Sequence, residues 1–200
     1  MNTFKEYYYN LLQEAQKPFN ANDFNLVPQN KKVSLVIGRF QPFTKGHLQL
    51  LKNAKHPVIV AIVKGKQTSK NKENNPFPFD LQKEVIMSSG VNNIIDVYSI
   101  ESASLPYMIS ISRDNGYEPV EMFAGTDRYK MYKYQQEKYA PQINSKIKIK
   151  EIHRDQSSDD VTGIAATKVR DALRNDDFDQ VSRMMIGLKP NIYAKLRSYL

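Results

Sequence analysis

Residues 33–54 read VSLVIGRFQPFTKGHLQLLKNA, and this stretch decides the fold. Four apolar, mostly β-branched residues around Ser34, from Val33 to Ile37, make a buried strand. Gly38 and Pro42 then punctuate a turn, and Thr44, Gly46 and His47 open a run of helical period, Lys45 to Asn53. Strand, glycine turn and helix start form a phosphate-binding arrangement: backbone N–H groups at a helix N-terminus point at an anion, and Gly46 lets a phosphate approach the backbone. The spacing of three puts the Thr44 hydroxyl and the His47 imidazole on the same first turn. A plainer reading makes Thr44 a helix cap and His47 a half-exposed surface residue.

Working outward, the pattern repeats. Apolar runs at Val58 to Val63, Ile94 to Ser99, Val120 to Phe123 and Ile147 to Ile152 alternate with helical stretches near Asp80 to Ser88, Leu105 to Asp114 and Arg128 to Tyr139. Strand–helix alternation predicts right-handed βαβ units, hence an α/β fold with a Rossmann-like, doubly wound parallel sheet of five strands. Its ligand site then lies beyond the carboxyl ends of the strands, at the topological switch point. After Asp160 the pattern is helical only: Thr167 to Arg174, Phe178 to Met185, and a last helix from Pro190, where proline suits the first helical position. The expected division is an N-terminal helical appendage and linker over residues 1–31 and one domain over 32–200, with a helical C-terminal part from 163.

Composition narrows the class. The 200 residues are 40% hydrophobic and 25% charged, with 8 Gly and 10 Pro, as in an ordinary globular domain. There is no cysteine, which removes disulfides, thiolate nucleophiles and thiolate metal sites. No protein-held metal is expected. No apolar run approaches the roughly 20 residues of a bilayer helix, and the N-terminus lacks an apolar signal core; the expected location is the cytoplasm, or a particle packaged from it. A net charge of +8 points to an anionic partner. With 12 Tyr and 9 Phe available for stacking, nucleic acid stands as an alternative, though not favoured, partner.

The run GRFQPFTKGHL resembles the nucleotidylyltransferase superfamily with its H/T-x-G-H signature, and within it most resembles nicotinamide mononucleotide adenylyltransferases. Thr44 stands where many members carry a first histidine, and His47 matches the second. GIAATKVRDAL, Gly163 to Leu173, is similar to the superfamily's I-S-x-T-x-x-R motif, with Thr167 and Arg170 on the matching positions and Ala165 in place of the usual serine. ENNPFPFDLQKEVI resembles the E-N-P-F-x-x-x-E-R segment of the archaeal-type enzymes, Lys83 falling near the family arginine and Gln82 where an acidic residue precedes it. EMFAGTDRYK is similar to the G-x-D turn lining the nucleoside pocket, through Gly125 and Asp127. The matches run from Val33 to about Leu173.

This resemblance implies His47, Thr44 and Arg170 as the catalytic group. It implies Gly38, Arg39, Phe40, Gln41, Lys45, Gly46, Gly125, Asp127, Ile164, Thr167 and Lys168 as nucleotide-binding residues. His47 and Thr44 are assigned to the α-phosphoryl group, and Arg170 and Thr167 to the β- and γ-phosphates. Lys45, Lys64 and Lys66, from a run of seven lysines without an acidic residue between Lys45 and Lys72, are placed to meet a triphosphate. The implied reaction joins ATP, with Mg²⁺ bound through its phosphates, to nicotinamide mononucleotide, giving NAD and pyrophosphate. Cytidylyl transfer to another phosphorylated small molecule is the alternative, and a non-catalytic, nucleic-acid-binding or virion protein is a third reading. MNTFKEYYYNLLQEA resembles the targeting peptides of proteins packaged in tailed-phage heads, with cleavage after Glu14, or else forms an amphipathic docking helix. A homo-oligomer is expected, as is usual in the superfamily.

Overall fold

The computed structural model describes residues 19–65, 70–153 and 166–200. The targeting-peptide reading, Lys66, Gly163, Ile164 and Ala165 lie outside them. Five strands, β1 (Lys31–Gly38), β2 (Val58–Val63), β3 (Ile94–Ile100), β4 (Tyr117–Gly125) and β5 (Lys148–Ile152), form one sheet in the order β3-β2-β1-β4-β5. Every neighbouring pair is parallel. The helices are α1 (Phe79–Met87), α2 (Leu105–Asp114), α3 (Thr126–Tyr139), α4 (Ala166–Arg174), α5 (Phe178–Met184) and α6 (Pro190–Arg197). This is the doubly wound α/β fold that the alternation predicts.

Strand alternation sorts the core into two layers. Val36, Val58, Val60 and Ile62 face the layer built with α1, α4, α5 and α6. Val33, Leu35, Ile59 and Ala61 face the opposite layer, with α2 and α3. Each fully buried aliphatic side chain of these layers contributes about 1.5–3 kcal/mol relative to exposure. The chain leaves β1 toward the first layer, where Phe40 and Phe43 pack, and leaves β4 toward the second, where Tyr132 of α3 packs. The connections diverge between adjacent strands β1 and β4, which opens the crevice at the switch point.

Two expectations are corrected. The α-helix expected from Lys45 to Asn53 is a six-residue 3-10 helix, Lys45–Leu50. Its first turn closes through the His47 N–H to the Thr44 carbonyl at 2.9 Å, an i to i+3 bond, so it offers fewer aligned amides than an α-helix. β4 also starts earlier than Val120, at Tyr117, because Lys31 and Lys32 of β1 pair with Tyr117 and Glu118.

Residues 19–30 lie along the second layer, with Phe19, Phe24 and Leu26 packed against it. Phe19 stacks on Phe24 at 5.2 Å and meets Tyr139, at the end of α3, at 4.6 Å. Arg113 fastens this region. At 2% exposure it donates Nε and Nη2 to the Glu118 carboxylate at 2.9 and 2.8 Å, Nη1 to the Asn25 and Ile143 carbonyls, and Nη2 also to the Asn144 carbonyl. All five N–H donors of the guanidinium are used. On the first layer, Glu121 is buried under Ser34, Lys55 and Lys150. Burial pushes its carboxyl up, but those donors outweigh it and the pKa is lowered.

Candidate active site at the switch point

The loop between β1 and the 3-10 helix is shaped by its own side chains. Phe40 has φ of 46°, a left-handed conformation unfavourable for an aromatic residue, and Gln41–Pro42 is a cis peptide. The Phe40 ring folds back over Gly38, where an added Cβ would come within 2.9 Å of it. That close approach is why glycine ends β1. Phe40, Gln41, Phe43 and Thr44 are all buried, while Arg39 is exposed.

His47 is held from three sides. The Thr44 N–H donates to Nδ1 at 2.9 Å, and the Thr44 hydroxyl lies 3.0 Å from the same nitrogen. Nδ1 is therefore an acceptor, and in the neutral ring the proton sits on Nε2. Phe43 stacks on the imidazole at 5.5 Å and Phe40 meets it edge-on at 5.0 Å. The ring is thus fixed in tautomer and orientation while remaining partly exposed. Gly46 lies buried on the same turn.

Two carboxamides lock the loop. Gln41 Nε2 donates to the Phe77 carbonyl and to Gln82 Oε1, each at 3.1 Å, and Gln41 Oε1 accepts from the Phe77 N–H at 2.9 Å. Gln82 Nε2 donates to the carbonyls of Arg39 and, at 2.7 Å, Phe40. The Phe77 carbonyl also receives Lys64 Nζ at 2.5 Å. Burial pulls the Lys64 pKa down from 10.5 to about 8. The Asn-Pro-Phe segment is therefore docked over the ends of β1 and β2.

Arg170, on α4, reaches the same place. Its Nη1 donates to the Gln41 carbonyl at 2.7 Å, and its Nη2 reaches Thr167 Oγ1 at 3.2 Å and Asn74 Oδ1 at 3.3 Å. Nε is buried and without a hydrogen-bond partner among the described residues. Sequence reading presents Arg170 as an open fork for an anion; the structure shows a clamp on the loop. A guanidinium at 4% exposure must find acceptors inside the protein. Burial, with the nearby Arg174 charge, lowers its pKa.

The remaining expected residues are placed as follows. Thr167 and Lys168 are exposed at the start of α4. Lys45 sends Nζ to the Ser182 carbonyl at 3.4 Å, toward α5. Gly125 ends β4 at the crevice and caps α3, and Asp127 is exposed in the first turn, 3.5 Å from Arg128 Nε. Beside it, Thr126 Oγ1 lies 3.3 Å from His153 Nδ1 at the end of β5. Lys83 does not face the crevice: it pairs with Asp96 at 3.0 Å and the Val97 carbonyl at 3.2 Å, toward the start of β3. Sequence reading missed Gln82 as a loop anchor. The signal was its place beside Leu81, Val85 and Ile86, the other buried residues of α1.

Among the described residues no group of three His, Asp or Glu side chains could hold a metal ion. The crevice offers neutral and cationic donors instead, which suit phosphate oxygens.

The profile of the cytidylyltransferase-like family matches residues 35–190. In fold the chain is similar to a putative nicotinate-nucleotide adenylyltransferase from Vibrio parahaemolyticus, at TM-score 0.52 and 16% identity over 84% of this chain and 99% of that one. It is also similar to the nicotinic acid mononucleotide adenylyltransferase of Plasmodium falciparum complexed with APC, at TM-score 0.51 and 15% identity over 86% and 99%. No curated protein matches the chain. With its Rossmann-like sheet and the loop that closes β1, the chain belongs to the cytidylyltransferase-like family.

Proposed function

We propose that the protein transfers an adenylyl group from ATP to nicotinamide mononucleotide, forming NAD and releasing pyrophosphate. The observation that carries this reading is the His47 ring, fixed by Thr44 with its proton on Nε2, at the crevice where a doubly wound sheet binds ligands. An oxygen of the acceptor's phosphate monoester is already a nucleophile. It forms a bond to the α-phosphorus, and the bond from that phosphorus to the bridging oxygen breaks to expel pyrophosphate. No general base is required.

The protein's share is to place donors where charge develops. His47 serves the α-phosphoryl oxygens through Nε2 while the buried Thr44 holds its ring, and the weight of His47 is greater because the 3-10 turn carries few aligned amides. Arg170 and Thr167 serve the β- and γ-phosphates. The Nη2 bonds of Arg170, at 3.2 and 3.3 Å, are longer than the 2.7–2.9 Å typical of charge-assisted bonds, so phosphate oxygens can replace Asn74 and Thr167 there while Nη1 keeps the loop. Lys64 adds charge beside them. Mg²⁺ enters as part of the nucleotide substrate, where it neutralises phosphate charge; the described residues include no carboxylate cluster to hold it.

The family description supports CTP as the second donor to test, and the two fold neighbours add nicotinic acid mononucleotide to the acceptors. The experiment is pyrophosphate release with Mg²⁺, crossing ATP and CTP with both mononucleotides and a panel of phosphorylated acceptors. Release with ATP and nicotinamide mononucleotide, falling about 100 to 1,000-fold in His47→Ala, supports the reading. Release with CTP moves the substrate and keeps the site. Silence throughout, with salt-steep nucleic-acid binding, would overturn the enzyme reading. Homo-oligomerisation, cytoplasmic location and, of the expected appendage 1–31, a separable part ahead of Phe19 are part of the same proposal, checked by light scattering, fractionation and truncation; the rest of that appendage packs on the core. Among the described residues no helix is long and apolar enough to cross a membrane.

A further inference from the structure

Gln82 is 2% exposed and Gln41 3%, and the two carboxamides use all of their hydrogen-bonding groups on each other and on backbone. Both N–H donors of Gln82 have a carbonyl partner, Arg39 and Phe40, and its oxygen takes a Gln41 N–H. A closed buried network of this kind specifies one arrangement, because any half-made version strands a polar group. The arrangement it specifies is unusual. Phe40 is held at φ of 46°, and its carbonyl is the one that Gln82 takes at 2.7 Å. That backbone turn sends the Phe40 ring over Gly38 and edge-on to His47 at 5.0 Å.

We infer that Gln82, from helix α1, is the positioning residue for His47, acting through the Phe40 backbone and ring. The inference rests on the reading of His47 as the α-phosphoryl donor. Gln82 itself touches neither the imidazole nor the crevice. Only a carboxamide does this work at that point, since a carboxylate would set an oxygen against two carbonyl oxygens and an aliphatic chain would leave both carbonyls and a Gln41 donor unpaired.

The test compares Gln82→Met and Gln82→Glu with wild type. Methionine keeps the length and bulk without donors, and glutamate keeps the shape and one acceptor. Steady-state kinetics and the His47 ring resonances, assigned by their loss in His47→Ala, are read together. For a positioning role kcat falls about 10 to 100-fold with a smaller change in nucleotide KM. The His47 resonances shift or broaden and the amides of residues 39–47 exchange faster. A folded Gln82→Met or Gln82→Glu with wild-type kcat, resonances and exchange overturns the inference. If wild type itself shows no turnover, the proposed function has failed, and the resonances and exchange rates still decide whether Gln82 sets His47.

Discussion

Two arginines are buried almost equally in this molecule, and they are buried differently. Arg113 sits at the amino-terminal edge of the sheet with all five donors satisfied, two of them by the Glu118 carboxylate. Arg170 sits at the carboxyl-terminal edge with one strong bond, two long ones and a buried Nε without a partner among the described residues. The first arrangement is complete and the second is not. A buried donor left unsatisfied costs free energy, and such cost is tolerated where a ligand can supply what is missing. The comparison teaches that two charges equally buried can differ in how completely they are held; the tally of satisfied donors separates a closed clamp from one with a donor to spare.

Four substitutions sharpen or break that contrast. Arg113→Met strands Glu118 and releases three backbone carbonyls, so it should lower unfolding free energy by about 3–5 kcal/mol. Urea titration measures this, and turnover per folded molecule should stay unchanged. Arg170→Met should show the reverse, losing about 1–3 kcal/mol of stability but about 100-fold in pyrophosphate release. Equal stability losses for the two would erase the distinction. Gly38→Ala brings a Cβ within 2.9 Å of the Phe40 ring and should reduce kcat about tenfold by moving the ring off His47, with little change in nucleotide KM.

The smallest effect is a pH response at Lys64. Its pKa is drawn down to about 8 by burial, so its positive charge fades as pH rises through that value. Nucleotide KM should rise a few-fold across this interval as the charge is lost, and Lys64→Met should start high and stay flat. A variant that keeps the wild-type pH response assigns the titration elsewhere.

The fold was legible because its signals are local. The run Val58 to Val63 is apolar on both faces and Val33 to Ile37 is broken only by Ser34, as buried parallel strands allow, and helices α1 and α2 carry their apolar period openly, whereas α3 buries only Tyr132. Of the expected site residues, the structure brings Thr44 against His47 and Arg170 against the Gln41 carbonyl. What failed was the assignment of bonds. Lys83 reads as a site residue by neighbourhood but α1 turns it toward Asp96. Arg170 reads as an open fork, but nothing in its sequence neighbours announces the Gln41 carbonyl 129 positions away. The 3-10 turn reads as an α-helix because the apolar spacing of Leu48, Leu50 and Leu51 fits either. Gln82 was visible only as a polar residue on an apolar helix face, a pattern that says a partner exists without saying which.

The stack of Phe19 on Phe24 and Tyr139 has a practical consequence for handling the protein. Helix α3 starts at the crevice with Thr126 and runs back to Tyr139, so Phe19 is anchored at the opposite end of the sheet from His47. A fusion partner joined directly ahead of Phe19 enters the domain there, away from the crevice. Trimming as far as residue 18 leaves every ring of the stack in place. An affinity handle or a surface tether belongs at that end.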